Sequence, residues 1–344
     1  MQQNSVNIAV IGAGRAGKLH ALNYAYAVPD AELRAVADAD ADAARQAAAE
    51  AGIERYYTDY RELLGDDELD AVVIVTPTVL HREVAVAAAE AGKHIFCEKP
   101  MAMTTEECDD MNRAAAQAGV HLQIGFMRRF DRNFVGAKEA IDRGEIGDVV
   151  MVRSLTHGPS TPKPWMYDIR KSNGPLAEIN SHDIDTLRWL TGGEAEEVYA
   201  LAGNFRNPQV REEYPEFYDN LVMTVRMSDN LQGVVEGAAA VRYGYDSRVE
   251  VLGTNGVLFV GQLPESNVTV VKESQGIVQS TVPSWRNLFR DAYLAEDRAF
   301  VESVRHGTAP AVTGGDGRAA VEMVVAGNRS ILERRPVQVS ELRS

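Results

Sequence analysis

A glycine-rich turn between an apolar run and a helical pattern constrains this chain more than any other feature. Asn7–Ile11 predicts a buried strand, Ala16–Tyr26 predicts a helix, and the turn between them contains glycine at the first, third and sixth positions. These glycines permit a tight bend, a close backbone approach to a pyrophosphate, and close helix–strand packing. The helix N-terminus adds N–H groups and a positive dipole end. The pattern predicts a dinucleotide site formed by Gly12, Gly14, Arg15, Ala16 and Gly17.

The same alternation continues through the first 125 residues. Further apolar runs alternate with helical patterns, and these runs are Leu33–Ala37, Ala71–Val75, His94–Cys97 and Val120–Gly125. Continuous apolar runs are typical of parallel strands that helices cover on both faces. Residues 1–125 are therefore predicted to form a Rossmann α/β domain that binds a dinucleotide.

A carboxylate at the end of the second predicted strand indicates which dinucleotide binds. Asp38 follows that strand, about 20 residues beyond Gly17, where an acidic side chain accepts hydrogen bonds from the adenosine ribose and repels a 2′-phosphate. Asp40 is a nearby alternative for this role, and Arg15 weakens the preference because it can reach a 2′-phosphate. We predict NAD as the cofactor.

The pattern changes after residue 125. A helix (Asp131–Arg143), a strand (Asp148–Thr156), a polar loop (His157–Gly174) and a helix from Pro175 to Leu190 precede a series of strands, Val198–Val282. Hairpin signals within that series predict an antiparallel sheet. Two helices, near Leu288–His306 and Asp316–Glu333, complete an α+β domain predicted for residues 126–344 and built on an open, mostly antiparallel sheet.

The apolar content of that sheet predicts self-association. Leu221–Val225, Val234–Ala240 and Val257–Val260 carry more apolar surface than the predicted helices are able to cover. An open apolar sheet face is typical of an interface. We expect a homodimer or homotetramer that assembles through residues 126–344.

Charge and composition exclude several classes of protein. A formal net charge of −15 disfavours a nucleic-acid partner, because phosphate backbones favour basic surfaces. The first apolar run is too short to cross a bilayer and follows no basic leader, so neither a membrane partner nor secretion is expected. Cys97 and Cys108 are too few for a disulfide framework and lack metal-ligand spacing. We expect a cytoplasmic protein without a metal.

Several short motifs, in this order and spacing, resemble the Gfo/Idh/MocA oxidoreductase family. The motifs are Thr76-Pro77-Thr78, His81, Ala91-Gly92-Lys93-His94, Glu98-Lys99-Pro100, Gly125–Asp131, Gly144–Gly147 and Asn328-Arg329-Ser330. The resemblance implies a two-domain dehydrogenase that binds its dinucleotide at the glycine turn and Asp38. It also implies that the nicotinamide side is lined by Thr76, Pro77, His81, Glu98 and Lys99, and that a cis proline directs Lys99.

A carboxylate and a histidine at helical spacing predict a general base. Glu178 and His182 are four residues apart, so on one helix they share a face, and a carboxylate beside an imidazole fixes its tautomer. Asp183 points elsewhere and is interpreted as structural. The resemblance maps an Asp-x-x-x-His pair onto these two positions, with Glu in place of Asp. Glu178 is therefore either the orienter of His182 or a ligand of a substrate hydroxyl.

These residues define a hydride-transfer mechanism. His182 takes the hydroxyl proton of a sugar or cyclitol, Glu178 supports the imidazole, and Lys99 holds the substrate oxygen and stabilises the developing alkoxide. Lys99 remains an alternative base.

The polar loop carries cations and aromatics in an otherwise acidic chain. Lys163, Trp165 and Arg170 offer a stacking surface and a bidentate anion ligand, and Arg128 adds to the positive field. One hypothesis is a sugar bearing an anionic group that these residues bind. The alternative is a solvated loop whose cations offset the net charge.

Three functions are consistent with these residues. The first is an NAD-dependent sugar or polyol dehydrogenase that releases NADH. The second is an NAD-dependent glycoside hydrolase that oxidises its sugar transiently, as some members of this family do. The third, a cofactor-sensing regulator, is disfavoured because Lys99 and His182 are both retained and a sensor needs no proton acceptor.

Overall fold

The computed structural model describes residues 5–266, 268–272, 274 and 276–342. Within these residues the chain forms two compact units, one of residues 5–130 with Asp291–Val321, the other of Asp131–Arg290 with residues 322–342. This division differs from the two consecutive domains, 1–125 and 126–344, that the sequence predicts. The difference arises because Phe300 and Val301 are buried in the same core as Ile8, Val10 and Phe96. Burial of these two apolar side chains stabilises the return of the chain to the first unit.

The first unit contains a parallel sheet flanked by helices. Within the described residues its strands are β1 (Val6–Ile11), β2 (Ala31–Ala37), β3 (Tyr56–Tyr57), β4 (Ala71–Ile74), β5 (His94–Glu98) and β6 (Leu122–Gly125), in the order β3-β2-β1-β4-β5-β6. All pairs are parallel. The helices are α1 (Arg15–Tyr26), α2 (Ala41–Glu50), α3 (Tyr60–Leu64), α4 (His81–Glu90) and α5 (Thr105–Ala118). The predicted Rossmann fold is confirmed, and β3 and α3 are additional elements.

The second unit contains a mixed, mostly antiparallel sheet. Its elements up to residue 290 are α6 (Arg132–Asp142), β7 (Val149–His157), α7 (Ile169–Ser172), α8 (Gly174–Glu178), α9 (Ser181–Thr191), β8 (Ala195–Gly203), β9 (Asn220–Met227), β10 (Gln232–Ala238), β11 (Asp246–Gly253), β12 (Val257–Val260), β13 (Val270–Lys272), β14 (Gly276–Val278) and α10 (Trp285–Leu288). The last elements of the chain are α11 (Arg290–His306), which belongs to the first unit from Asp291 onward, α12 (Gly314–Glu333), which passes from the first unit to the second after Val321, and β15 (Val337–Gln338). Among described strands the order is β12-β11-β7-β10-β9-β8-β15, with β13 and β14 as a separate hairpin. The predicted sheet class is confirmed; only the β7–β10 pairing is parallel among the described pairs of this sheet.

The predicted helix from Pro175 to Leu190 is wrong as a single helix. α8 ends at Glu178, and Asn180 (φ −95°, ψ 2°) separates it from α9. The interruption has a physical cause: the buried Asn180 side chain donates to Asp183 Oδ2 at 2.8 Å and to the Glu236 carbonyl at 2.9 Å. Glu178 and His182 therefore lie on two successive helices, and the one-face argument for this pair does not hold.

None of the helices in the described ranges combines the length and the apolar run that a bilayer crossing requires.

Candidate active site

The turn between β1 and α1 has the backbone geometry that a dinucleotide needs. Gly12 adopts φ +109°, and a Cβ on Gly17 would lie 1.8 Å from the Gly12 carbonyl oxygen. Both positions therefore require glycine. Gly14 is exposed, with nothing within 4 Å of its Cβ position, and α1 has no side-chain cap among the described residues. The turn thus leaves room for a phosphate at the N-terminus of a 12-residue helix.

Asp38 is held against this turn. Its Oδ2 accepts a hydrogen bond from Ala13 N at 2.6 Å and its Oδ1 accepts one from Asp40 N at 2.9 Å. The Asp40 side chain instead caps α2, accepting from Asp42 N and Ala43 N. The two alternatives for the ribose ligand are therefore distinguishable, and Asp38 is the one beside the glycine turn.

Thr76 and His81 follow β4, which neighbours β1 in the sheet. A Cβ on Gly12 would lie 2.9 Å from Thr76 N, so Thr76 borders the turn. Thr76 Oγ1 is buried without a hydrogen-bond partner among the described residues, whereas Pro77 is exposed. His81 is buried and its ring nitrogens contact the carbonyls of Thr76 (2.9 Å) and Pro100 (2.8 Å). Burial lowers the pKa of His81, whose ring links the Thr76 segment to the Glu-Lys-Pro segment.

The Glu-Lys-Pro segment lies at the carboxyl end of β5, and its Lys99–Pro100 bond is cis. Lys99 is half-buried. The Glu98 carboxylate accepts a hydrogen bond from Lys99 N at 3.0 Å through Oε2, and its Oε1 lies 3.0 Å from His20 Nε2. The carboxyl ends of parallel strands are where ligands bind in open α/β sheets. Lys99, Thr76 and the glycine turn therefore occupy the expected edge.

The second unit carries the predicted base on α9. His182 is 6% exposed and Asp185 1% exposed, whereas Glu178 at the end of α8 is half-buried. Asp183 accepts hydrogen bonds from Ser154 Oγ (2.6 Å) and Asn180 Nδ2. The structural interpretation of Asp183 is confirmed.

The cations of the polar loop are already paired in part. Asp168 caps α7 and accepts from Arg170 Nε at 3.0 Å, which lowers the pKa of Asp168. The Arg170 side chain is 82% exposed. Lys163 is exposed, Trp165 is half-buried, and Arg128, in the first unit, is 1% exposed. Sequence reasoning missed Asp168, although its position two residues before Arg170 was available as a signal.

Comparison with known families gives two matches that together span most of the chain. A family model described as "Oxidoreductase family, NAD-binding Rossmann fold" matches residues 6–126. The model of the GFO/IDH/MocA C-terminal domain matches residues 134–259.

Individual relatives are similar along nearly their whole length. A myo-inositol 2-dehydrogenase of Thermotoga maritima is 35% identical over 98% of this chain and 99% of the relative. A scyllo-inositol 2-dehydrogenase (NAD(+)) of Bacillus subtilis is 36% identical over 99% of this chain and 98% of the relative. The crystal structure of a scyllo-inositol dehydrogenase from Lactobacillus casei, with bound NAD(H) and scyllo-inositol, has a TM-score of 0.89 and is 30% identical, covering 98% of this chain and 100% of that chain.

Proposed function

The chain belongs to the Gfo/Idh/MocA oxidoreductase family, and on that premise we propose that it oxidises a ring hydroxyl of an inositol with NAD as the hydride acceptor. The observation that carries the proposal is the end-to-end similarity to relatives named inositol 2-dehydrogenases. We assign dinucleotide binding to residues 1–125, and assembly and substrate binding to residues 126–344, apart from Lys99, which we assign to the substrate oxygen. The residues of the glycine turn and Asp38 fit the dinucleotide, since two glycines are sterically required and Gly14 leaves open space.

The proposed chemistry divides between a cation and a base. Bound NAD supplies the acceptor for the hydride that leaves the carbinol carbon. Lys99 holds the substrate oxygen and stabilises the negative charge that develops on it. His182 takes the hydroxyl proton, and Lys99 is the alternative acceptor. Glu178, at the end of α8, is assigned either to a substrate hydroxyl or to the orientation of His182.

The substrate proposal is tested with a panel of compounds and purified protein. We expect scyllo- or myo-inositol to reduce NAD faster than aldoses, uronic acids or glycosides. The pairing of Arg170 with Asp168 supports a neutral substrate over an anionic one. Faster turnover of a uronic acid would restore the anionic hypothesis. Release of an aglycone without net NADH would favour the glycoside hydrolase. No contact among the described residues supports that alternative.

Asp38→Ala is expected to reduce the preference for NAD more than it reduces kcat. The carboxylate contacts the ribose and not the reacting atoms, so the loss belongs in kcat/KM for NAD. Loss of a charge-assisted hydrogen bond corresponds to about 1.5–3 kcal/mol, or roughly ten- to a hundredfold. Steady-state kinetics with NAD and NADP measure it, with Asp40→Ala as the matched control that removes only a helix cap. A wild-type enzyme with higher kcat/KM for NADP would contradict the assignment.

We propose that the protein assembles through the exposed face of the second unit's sheet. Leu201 (55% exposed) pairs with Val222 (37%) at one side of the sheet, and Phe259 (72%) lies on β12 at the other. Aromatic and aliphatic side chains exposed along one face are typical of an interface.

Phe259→Asp is expected to convert the assembled protein into a smaller species. The aspartate is solvated in a separate chain, but it would lose its water in the assembly. This desolvation raises the free energy of the assembly and favours separate chains. Light scattering measures the mass, and Phe205→Asp is the matched control, because Phe205 is 70% exposed but lies outside the strands. A wild-type monomer at micromolar concentration would refute the proposal.

We also propose a reducing, cytoplasmic location. Cys97 and Cys108 are both free and buried, and burial raises the pKa of each thiol. Buried, protonated thiols are unreactive and are compatible with a compartment in which disulfides do not form.

A further inference from the structure

A buried cluster of ionisable side chains lies next to the Glu-Lys-Pro segment and has no role in the proposed chemistry. His20 on α1 places Nδ1 2.7 Å from Asp297 Oδ1 and Nε2 3.0 Å from Glu98 Oε1. Asp297 Oδ2 also accepts from Asn23 Nδ2 at 2.8 Å. His20, Asp297 and the neighbouring Glu296 are 0% exposed, and Glu98 is 5% exposed. All of these residues belong to the first unit.

The contacts determine how many protons His20 carries. An ionised carboxylate only accepts hydrogen bonds, and a neutral imidazole has one N–H. Two carboxylate oxygens, one at each ring nitrogen, are both satisfied only if both nitrogens carry hydrogen. Burial lowers the pKa of His20, but Asp297 and Glu98 more than offset this and raise it well above the usual 6.5. The contacts and the raised pKa both favour an imidazolium ring between the two carboxyl groups.

Glu296 lies beside His20 and Glu98 but does not take part in their hydrogen bonds. One of its carboxylate oxygens lies within 4.8 Å of the His20 and Glu98 ligand atoms, yet neither oxygen has a hydrogen-bond partner among the described residues. Burial, followed by the negative charge of Glu98, raises the pKa of Glu296 well above the usual 4.5. A neutral Glu296 leaves one cation and two anions in the cluster.

We propose that His20 is a permanent imidazolium in the folded enzyme and acts as a positioning residue for Lys99. His20 holds the Glu98 carboxylate through Oε1, and the other oxygen of that carboxylate holds Lys99 N at 3.0 Å. Asp297, delivered by α11, fixes the far side of the ring. The consequence for Lys99 rests on the proposed function, whereas the charge of His20 does not.

The groups that face His20 are accounted for from each element that packs against it. Among the described residues they are Glu98 from β5 and Tyr293, Glu296 and Asp297 from α11, while Tyr24 on α1 acts on Asp297. The ring also contacts Phe96 in a tilted arrangement and Tyr293 edge-on. None of them is a second cation. His20, Glu98 and Glu296 also match the donor set of a divalent ion with Asp297 behind the imidazole. We favour the proton, because the 3.0 Å contact already satisfies His20 Nε2 and Glu98 Oε1.

Nitrogen NMR of wild-type protein labelled in its histidines tests the charge without cofactor, substrate or turnover. The His20→Asn variant identifies the His20 signals by their loss. We expect both ring nitrogens of His20 to keep imidazolium shifts as the pH is raised through and beyond the ordinary histidine value near 6.5. Titration near that value, or a neutral tautomer, would overturn the proposal. So would one tightly bound divalent ion per chain in the purified protein, found by elemental analysis.

Kinetics of two variants test the positioning role. We expect His20→Asn to lower kcat by up to about a hundredfold through displacement of Lys99, with the Kd for NAD within about twofold of wild type. A loss in kcat without a matching change in the Kd for NAD is what a displaced Lys99 predicts, whereas a general loss of structure would change both. Glu296→Gln, the matched control, keeps a neutral side chain of the same size and should leave both quantities unchanged.

The outcomes separate this inference from the proposed function. An unchanged kcat in folded His20→Asn, or equal losses in kcat and in NAD binding, would overturn the positioning role. If His20→Asn fails to fold, Asp297→Asn replaces it: removal of one anion should leave His20 titrating at lower pH in the NMR experiment, and an unaltered titration would count against the proposal. An enzyme that oxidises another substrate leaves the NMR result intact and refutes only the inositol assignment.

Discussion

Lys99→Ala is expected to lose about 10²–10⁴-fold in kcat while the protein remains folded and binds NAD. The ammonium is the proposed group that stabilises the substrate oxygen as its charge develops, and this interaction is stronger in the transition state than in the ground state. Initial rates of NADH formation measure kcat, and a fluorescence titration with NADH measures binding. Lys18→Ala is the matched control, because Lys18 pairs with Glu50 on the surface.

Lys99→Arg separates the two roles left open for Lys99. Arginine keeps the positive charge but does not accept a proton in proteins. If Lys99 only stabilises charge, the Arg variant should recover a measurable part of the activity that alanine loses. Equal loss in both variants would favour Lys99 as the base. Near-normal turnover in a folded Lys99→Ala protein would remove Lys99 from the mechanism.

His182→Gln is expected to cause the second large loss, again about 10²–10⁴-fold in kcat. Glutamine is of similar size and neutral, but it does not accept a proton near neutral pH. The acid limb of the wild-type pH–rate profile should disappear in this variant if His182 is the base. The control is His306→Gln, at the exposed end of α11.

The His182 experiment needs a check on folding, because the side chain is 6% exposed. The melting temperature of His182→Gln and its Kd for NADH should both be close to those of the wild type. A folded variant with wild-type turnover would transfer the base role to Lys99. An acid limb that survives with reduced kcat would indicate that His182 binds the substrate and does not take its proton.

Local patterns in the sequence predicted most of the fold. The alternation of apolar runs and helical patterns predicted the order and type of the elements in the first unit, because each strand and each helix has its own local hydrophobic pattern. The helix break at Asn180 was missed because one of its partners, the Glu236 carbonyl, comes from a strand far along the chain. The return of α11 to the first unit was missed for the same reason.

The candidate site was predicted unevenly. Gly12 and Gly17 could be predicted because only glycine fits their backbone positions. Asp38 could be predicted because it follows the second strand and lies against the glycine turn. The cluster around His20 joins α1, β5 and α11. Because these elements are far apart in the sequence, no local pattern predicts the cluster. The one available signal was that His20 falls on the buried stripe of α1, with Gly17, Ala21 and Tyr24 at helical spacing.

Transfer of deuterium from carbon to cofactor tests the central claim most directly. Inositol that carries deuterium at the carbinol carbon is incubated with the purified protein and NAD, and the reduced cofactor is examined by mass spectrometry. Direct hydride transfer predicts one deuterium in each reduced cofactor, with an equal amount of ketone formed. Unlabelled reduced cofactor, or an inositol that is never oxidised while another substrate is, would contradict the account.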